Sequence, residues 1–296
     1  MEGDPEEFTA GTLDALTSFQ HVRGLIEDGI CGSQTWSSLV ESGHGFGSRN
    51  LYLRAPMMRG DDVSELQRRL GAMGFDAGRV DGIFGPDTAE AVAEFQRNTA
   101  LNTDTIVGRD TFSALERLTS RAGTDTLAAV RERERLRRAP SGAAGRRVVV
   151  GDLGGASALA EAVGRHLGAA GVEVAVLLSP DGSVQAKASN EYQADVYLGL
   201  VVVEEPMLEA AYFSVEGFES HGGRHLATLL CASLERGTHG PRHAVGRRLP
   251  ALRETRMPAV VGRLGPAVAV VTGGRGLAGA VAEAVLNWLE QPFEAP

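Results

Sequence analysis

Cysteine is scarce: Cys31 and Cys231 lie in opposite halves of the 296-residue chain and neither belongs to a Cys-x-x-Cys pair. That excludes a disulfide framework or a thiolate metal site and leaves two buried free thiols as the expectation. Positive charge is also short, with 29 Lys and Arg against 38 Asp and Glu and a formal net charge of -9. Without a basic field to meet a phosphate backbone, nucleic acid is excluded as a partner. The sequence opens Met-Glu-Gly-Asp-Pro-Glu-Glu, acidic where a secretory leader is basic, and no apolar core of a leader follows. No run approaches the roughly 20 apolar residues that a bilayer span needs. These absences predict a cytoplasmic protein without a membrane span. What is present, 43% hydrophobic and 23% charged residues, is ordinary for a globular chain long enough for two or three folding units.

The strongest internal signal is a repeat at an offset of 76 residues. Thr12 matches Thr88, Phe19-Gln20 matches Phe95-Gln96, and Asp28 matches Asp104. Ile30 matches Ile106, Gly32 matches Gly108, Thr35 matches Thr111, Trp36 matches Phe112, and Leu39 matches Leu115. The second copy is the complete one. Val63, Leu66, Leu70 and Met73 recur at helical spacing after Asp61-Asp62, and Gly74 ends that helix. Asp81-Gly82 makes a tight turn, Pro86-Asp87-Thr88 opens a second helix with Ala91, Val92 and Phe95, and a third begins near Arg109. The first copy is expected to lack the opening helix and the Asp-Gly turn, since position 59 of the second copy would map before residue 1. Either the true start lies upstream or the fragment packs on its neighbour. Phe19, Phe95, Trp36 and Phe112 are expected in the core, and Gln20 and Gln96 are expected to bond the nearby turn backbone.

The residues Leu66-Gln67, Gly74, Val80 to Gly85, Thr88, Ala91-Val92, Phe95-Gln96 and Ile106-Val107-Gly108 resemble the PG_binding_1 peptidoglycan-binding modules. The resemblance covers about 59 to 118 and, less fully, 8 to 42. It implies binding of peptidoglycan fragments or precursors, with Phe84 as the candidate to stack on a sugar ring.

Between 119 and 147 the composition changes to an alternating run, Arg131-Glu132-Arg133-Glu134-Arg135, ended by Ala139-Pro140. This reads as a solvated helical linker, with Arg135, Arg137 and Arg138 as a less favoured docking patch. Boundaries follow at 1–45 for the truncated copy, 51–120 for the complete copy, 121–146 for the linker and 147–296 for the last domain. From Arg147 a strand-helix-strand unit begins, with Val148-Val149-Val150, a helix carrying Leu159, Val163 and Leu167, and a strand from Val172 to Leu178. Further strands near Val196 to Val203 and Ala259 to Val261 continue an α/β sandwich. Gly151-Asp152-Leu153-Gly154-Gly155 departs from the Gly-x-Gly-x-x-Gly spacing of dinucleotide sites. The fold class expected is therefore multidomain, all-α three-helix modules followed by an α/β three-layer sandwich.

The strand and glycines at 148 to 155, Leu167 to Val174, Ala194 to Leu198, Ser220 to Ala227, and Arg253 to Val260 resemble the Amidase_3 family of zinc N-acetylmuramoyl-L-alanine amidases. The resemblance spans about 146 to 292. The family uses two His and one Glu on zinc and a second Glu as general base. By resemblance the first His position falls on Leu153, the second on Val201 and the base on Arg263, while the loop bearing the ligand Glu is largely deleted. Leucine and valine have no electron pair to give and a guanidinium only donates. No catalytic residue, metal or cofactor is therefore expected.

His221 with His225 and His239 with His243 have i,i+4 spacing, but glycines weaken a helix at the first pair and Gly240-Pro241 breaks one at the second. Asp152, Glu204, Glu205, Glu216 and Glu219 could gather near the site. Arg263 with Arg253 or Arg256 is the candidate clamp for a carboxylate or phosphate, against a structural salt bridge. The reading favoured is a non-enzyme that binds peptidoglycan or its precursors and regulates cell-wall synthesis, with a cytoplasmic synthesis enzyme as a possible partner. An active zinc amidase and a protein-binding adaptor are the alternatives.

Overall fold

One glutamine side chain ties each turn of the helical repeat. The elements are α1 (Ala10–Val22), α2 (Ser33–Ser42), α3 (Asp61–Ala72), α4 (Pro86–Asn98) and α5 (Arg109–Thr119). From α3, Gln67 Nε2 donates to Asp81 Oδ1 (2.8 Å), to the Ile83 carbonyl (3.1 Å) and to Thr88 Oγ1 (3.1 Å). Its Oε1 accepts from the Gly82 amide at 2.8 Å. Gln96 on α4 repeats this on Asp104, Ile106, Thr111 and the Thr105 amide. Gln20 on α1 repeats it on Asp28, Ile30, Thr35 and the Gly29 amide. A carboxamide is suited to this because it presents donors and an acceptor in one plane. The residue after each Asp takes a positive φ, at Gly29, Gly82 and Thr105. Gln20 and Gln96 thus hold the turns they were expected to hold. Asp28-Gly29 forms the first copy's counterpart of the Asp104-Thr105 turn, while the positions that match Asp81-Gly82 lie outside the described residues.

The computed structural model describes residues 8–119, 127–234 and 242–293. The chain divides into two compact units, Met1–Val130 with Val215–Phe218, and Arg131–Ser214 with Glu219–Pro296. In the first unit, α3, α4 and α5 enclose one cluster that includes Val63, Leu66, Leu70, Phe84, Val92, Phe95, Phe112 and Leu115. Glycine at 85 and proline at 86 start α4 with no side-chain cap, the proline sitting where its missing N–H costs nothing. Leu51 and Val107 exchange both backbone hydrogen bonds in a single antiparallel bridge. In the first copy the expected core falls short: Trp36 is 62% exposed and Phe19 only partly buried. The thiols also depart from expectation, Cys31 being exposed and Cys231 half-buried.

The second unit begins inside α6 (Leu127–Arg137). The solvated-linker reading is corrected here. Leu136 is buried in the core of the α/β unit, and the Glu132 carboxylate accepts from Ser220 Oγ (2.7 Å) and the His221 amide (3.1 Å). Arg137 and Arg138 pair with Glu134 on their own helix. Residues 121–126 of the expected linker lie outside the described residues.

Then come β1 (Arg147–Gly154), α7 (Ser157–Ala169), β2 (Glu173–Leu178), α8 (Gly182–Glu191), β3 (Val196–Val202), β4 (Leu208–Val215), β5 (Phe218–Glu219) and α9 (His221–Ser233). β6 (Arg242–Arg247), α10 (Pro250–Arg253), β7 (Ala259–Leu264) and α11 (Ala267–Glu290) complete it. The sheet order is β2-β1-β3-β7-β4-β5, with β6 beside β4. β2, β1, β3 and β7 run parallel, and β4 reverses against β7. Strand alternation divides the faces. Val148, Val150, Val196, Leu198, Leu200, Val260 and Leu264 join α7, α9 and α11 in the main core. α8 and α10 contact the sheet through β1 and β7 and pack on each other. Helices on both faces of a mostly parallel sheet make the expected three-layer sandwich.

Gly222 and Gly223 do not weaken α9. A Cβ at 222 would come within 2.7 Å of the Pro258 ring and one at 223 within 3.0 Å of the Ala259 carbonyl, so they let the helix start close on β7. Ser220 caps that start through the Gly223 amide. The expectation that no stretch is long and apolar enough for a span is also corrected, because α11 meets both criteria by length and composition. Its later half, with Leu277, Val281, Val285, Trp288 and Leu289, is buried in the core of this unit.

Gln67→Leu removes four hydrogen bonds and leaves buried partners unpaired, so chemical denaturation should show a loss of about 2–4 kcal/mol from the helical unit. An unchanged midpoint would mean that the clamp contributes nothing. The Asp104 carboxyl is held below its ordinary range by the Ile106 amide and the Gln96 amide group. A depressed folded pKa gives stability that is present above the unfolded value and is lost as pH falls through the folded one. Thermal midpoints between pH 5 and 2 should therefore fall more steeply for the parent than for Asp104→Asn.

Candidate functional site

Parallel pairing sets the positions that matter. Gly154 stands in register with Val201, and Val201 with Arg263, so Leu153, Val201 and Arg263 sit at the C-terminal ends of β1, β3 and β7. That is the edge where open α/β sheets place their ligands. Antiparallel β4 brings Glu209 opposite Arg263.

Glu209 is the residue that sequence reasoning missed. It is 5% exposed and takes two guanidinium groups: Arg247 at 2.9 Å from Oε2 and 3.3 Å from Oε1, and Arg263 at 3.3 Å from Oε1. An acidic residue second in a strand that continues Ala-Ala-Tyr-Phe was the available signal, because alternation puts it on an inward face. Deeper in the same layer, Tyr197 Oη donates to Gln185 Oε1 at 2.8 Å, and Gln185 Nε2 donates to the Asp152 and Ser179 carbonyls. Burial pushes the Tyr197 hydroxyl pKa up, which keeps it a donor. Gly151 and Gly199 make room for this pair, since a Cβ at either would strike Gln185 or Tyr197.

Asp152 caps the turn into α7, accepting from the Gly154 and Ala156 amides at 2.7 and 2.9 Å. Glu219 pairs with Arg224. The acidic residues named from sequence are thus not gathered, and among the described residues no group of three or more His, Cys, Asp or Glu is placed to hold a metal. His221 and His225 do share α9; His239 lies outside the described residues, and His243 is exposed on β6.

The proposed arginine clamp is corrected too. Arg256 precedes β7 and is exposed, Arg253 lies buried on α10, and Arg263 is the fifth residue of β7, so Arg256 and Arg263 stand at opposite ends of one strand. Arg263 forms the structural ion pair instead. Phe84 is fully buried in the three-helix core and presents no face to a sugar. The exposed aromatic of the second copy, among the described residues, is Tyr52, next to Leu51 in the bridge to Val107.

The chain thus joins a helical repeat unit to an α/β sandwich with a candidate site at the ends of its parallel strands. The model of PG_binding_1, a peptidoglycan binding domain, matches residues 59–115. The N-acetylmuramoyl-L-alanine amidase CwlM of Mycobacterium tuberculosis is 32% identical over 289 residues, covering 86% of this chain and 71% of that protein. The chain belongs to this N-acetylmuramoyl-L-alanine amidase family. The amidase CwlL of Bacillus licheniformis is 32% identical over 127 residues, 36% of this chain and 35% of CwlL. The amidase Ami1 of Mycobacterium smegmatis superposes with a TM-score of 0.44 at 16% identity, covering 50% of this chain and 99% of that structure.

These relatives correct the expectation that the chain is not an enzyme: they are named as amidases, and the family it belongs to is an enzyme family. The zinc that the resemblance implies does not fit the side chains present at the expected positions. Leu153 and Val201 offer no lone pair, and Arg263 is a donor already engaged by Glu209.

Glu209→Gln strips the shared carboxylate from two nearly buried guanidinium groups. Leaving buried charge unpaired typically costs about 3–5 kcal/mol, so denaturation of the α/β unit should show a loss of that order. If Glu209→Gln unfolds with the parent, the ion cluster is not holding this edge.

Proposed function

We propose that this chain binds peptidoglycan fragments or precursors through its second helical copy and regulates cell-wall synthesis by that binding. The observation that carries this is the match of residues 59–115 to the peptidoglycan binding domain, with both of its glutamine-held turns intact. Tyr52 gives the module an exposed ring beside a backbone bridge, a suitable surface for an apolar sugar face. A synthesis enzyme working on the same precursors is the protein partner that this reading implies. The names of the relatives favour a second reading, hydrolysis of the amide between N-acetylmuramic acid and L-alanine.

Co-sedimentation with purified insoluble peptidoglycan, and titration with soluble muropeptides, test the first reading. Saturable binding is expected, weakened about two- to tenfold by Tyr52→Ala, in line with the roughly 0.5–1.5 kcal/mol of a ring contact. No saturable binding to either material would sink it. Release of free stem peptides from muropeptides by the same preparation would establish the second.

A further inference from the structure

Among the described residues, the sheet of the α/β unit ends at β2, which pairs with β1 alone. Such an edge is an open template for another strand unless charge, proline, a bulge or brevity blunts it. The opposite side of the sheet is blunted in two of these ways. β5 has two residues, and β6 carries Arg242, His243 and Arg247. β2 has no proline, and its only charge is Glu173 at the first position. The remaining residues read Val-Ala-Val-Leu-Leu, and the register with β1 runs unbroken from Arg147↔Glu173 to Asp152↔Leu178.

Alternation decides which backbone groups face outward. The Glu173 amide donates to the Arg146 carbonyl, so residues 173, 175 and 177 turn their amides and carbonyls towards β1. Val174, Val176 and Leu178 turn theirs away from the sheet. A Cβ at Gly164 of α7 would lie 3.0 Å from Val176 and 3.5 Å from Val174, so these side chains share the α7 face. Leu178 at the end of the strand is 58% exposed.

We propose that β2 pairs antiparallel with β2 of a second copy about a two-fold axis at Val176, joining the two sheets into one. Outward groups have to meet outward groups, and this register achieves that along the whole strand. Val176 faces Val176 of the copy, Val174 faces Leu178, and Ala175 faces Leu177. Apolar side chains therefore meet on both faces of the joined sheet. Charge favours the same occupant. Glu173 falls opposite Ser179 of the copy, a strand's length from the copy's own Glu173. On α7, Glu161 pairs with Arg165 at 3.8 Å, so that pair adds no net charge where α7 meets its copy.

Sedimentation equilibrium of the full chain over a range of concentrations is expected to show a monomer–dimer equilibrium. Residue-resolved hydrogen exchange gives the signature of the edge. The amides of Val174, Val176 and Leu178 should slow as the dimer fills, while those of Ala175 and Leu177, already turned to β1, should not change. Val176→Pro removes an outward amide that β1 does not use, and each dimer loses two ladder bonds, so the dissociation constant should rise at least about tenfold. Leu178→Lys charges the edge at an exposed position and should weaken the dimer by a similar factor, which keeps the test decisive if circular dichroism shows the proline variant unfolded. A chain that is monomeric at every concentration overturns the proposal. So does a dimer that Leu178→Lys leaves intact, or one in which the three outward amides exchange at the monomer rate. In the monomeric case, equal capture of a labelled peptide of residues 173–178 and of its scrambled version would give the edge to extended peptides instead.

Discussion

A polar group taken out of water has to find a partner inside the protein, and both units are organised by that constraint. In the helical unit the solution is local. A glutamine one turn from a helix end reaches across to the next Asp-led turn and satisfies its carbonyl, its amide and the threonine that opens the following helix. The hydrophobic cluster can then close over a turn whose inward carbonyl and amide are both bonded. In the α/β unit the solution is distant in sequence, since Glu209, Arg247 and Arg263 come from three strands and meet only because β4 reverses against β7.

That reversal gives the site its character. The parallel strands β1, β3 and β7 deliver Leu153, Val201 and Arg263 to one edge, and β4 supplies the carboxylate that the edge would otherwise lack. A guanidinium 13% exposed needs an anion, and Glu209 is held there by hydrogen bonds to Arg247 as well. Replacing any one member changes the electrostatics of the other two, so the cluster behaves as a unit. The chain belongs to an amidase family, and Glu209, Arg247 and Arg263 fill this edge with charge pairs.

Much of this was legible in the sequence. The offset repeat gave the three-helix module, the turn residues gave its boundaries, and the valine runs at 148, 196 and 259 fell in β1, β3 and β7. The positions 153, 201 and 263, named by resemblance, lie at the C-terminal ends of β1, β3 and β7. What failed has a common cause. Phe84, Trp36 and Glu209 were misjudged or missed because helical or strand periodicity says which residues share a face, and not whether another element covers that face. Leu136 failed for the same reason: a charged run around one leucine reads as solvated until a sheet arrives beneath it.

The described part of the first copy, α1 and α2, is held in place largely by the second copy. Arg23 binds both carboxylate oxygens of Asp61 at 2.8 and 2.6 Å, and Arg49 binds Asp62, whose side chain is 1% exposed. Phe46 meets Phe112 edge to face, with the Arg69 guanidinium over its ring. These contacts fix α1 and α2 against the opening of α3, yet they leave Trp36 and Leu13 bare. Anchoring therefore accounts for the position of the first copy and not for its apolar face.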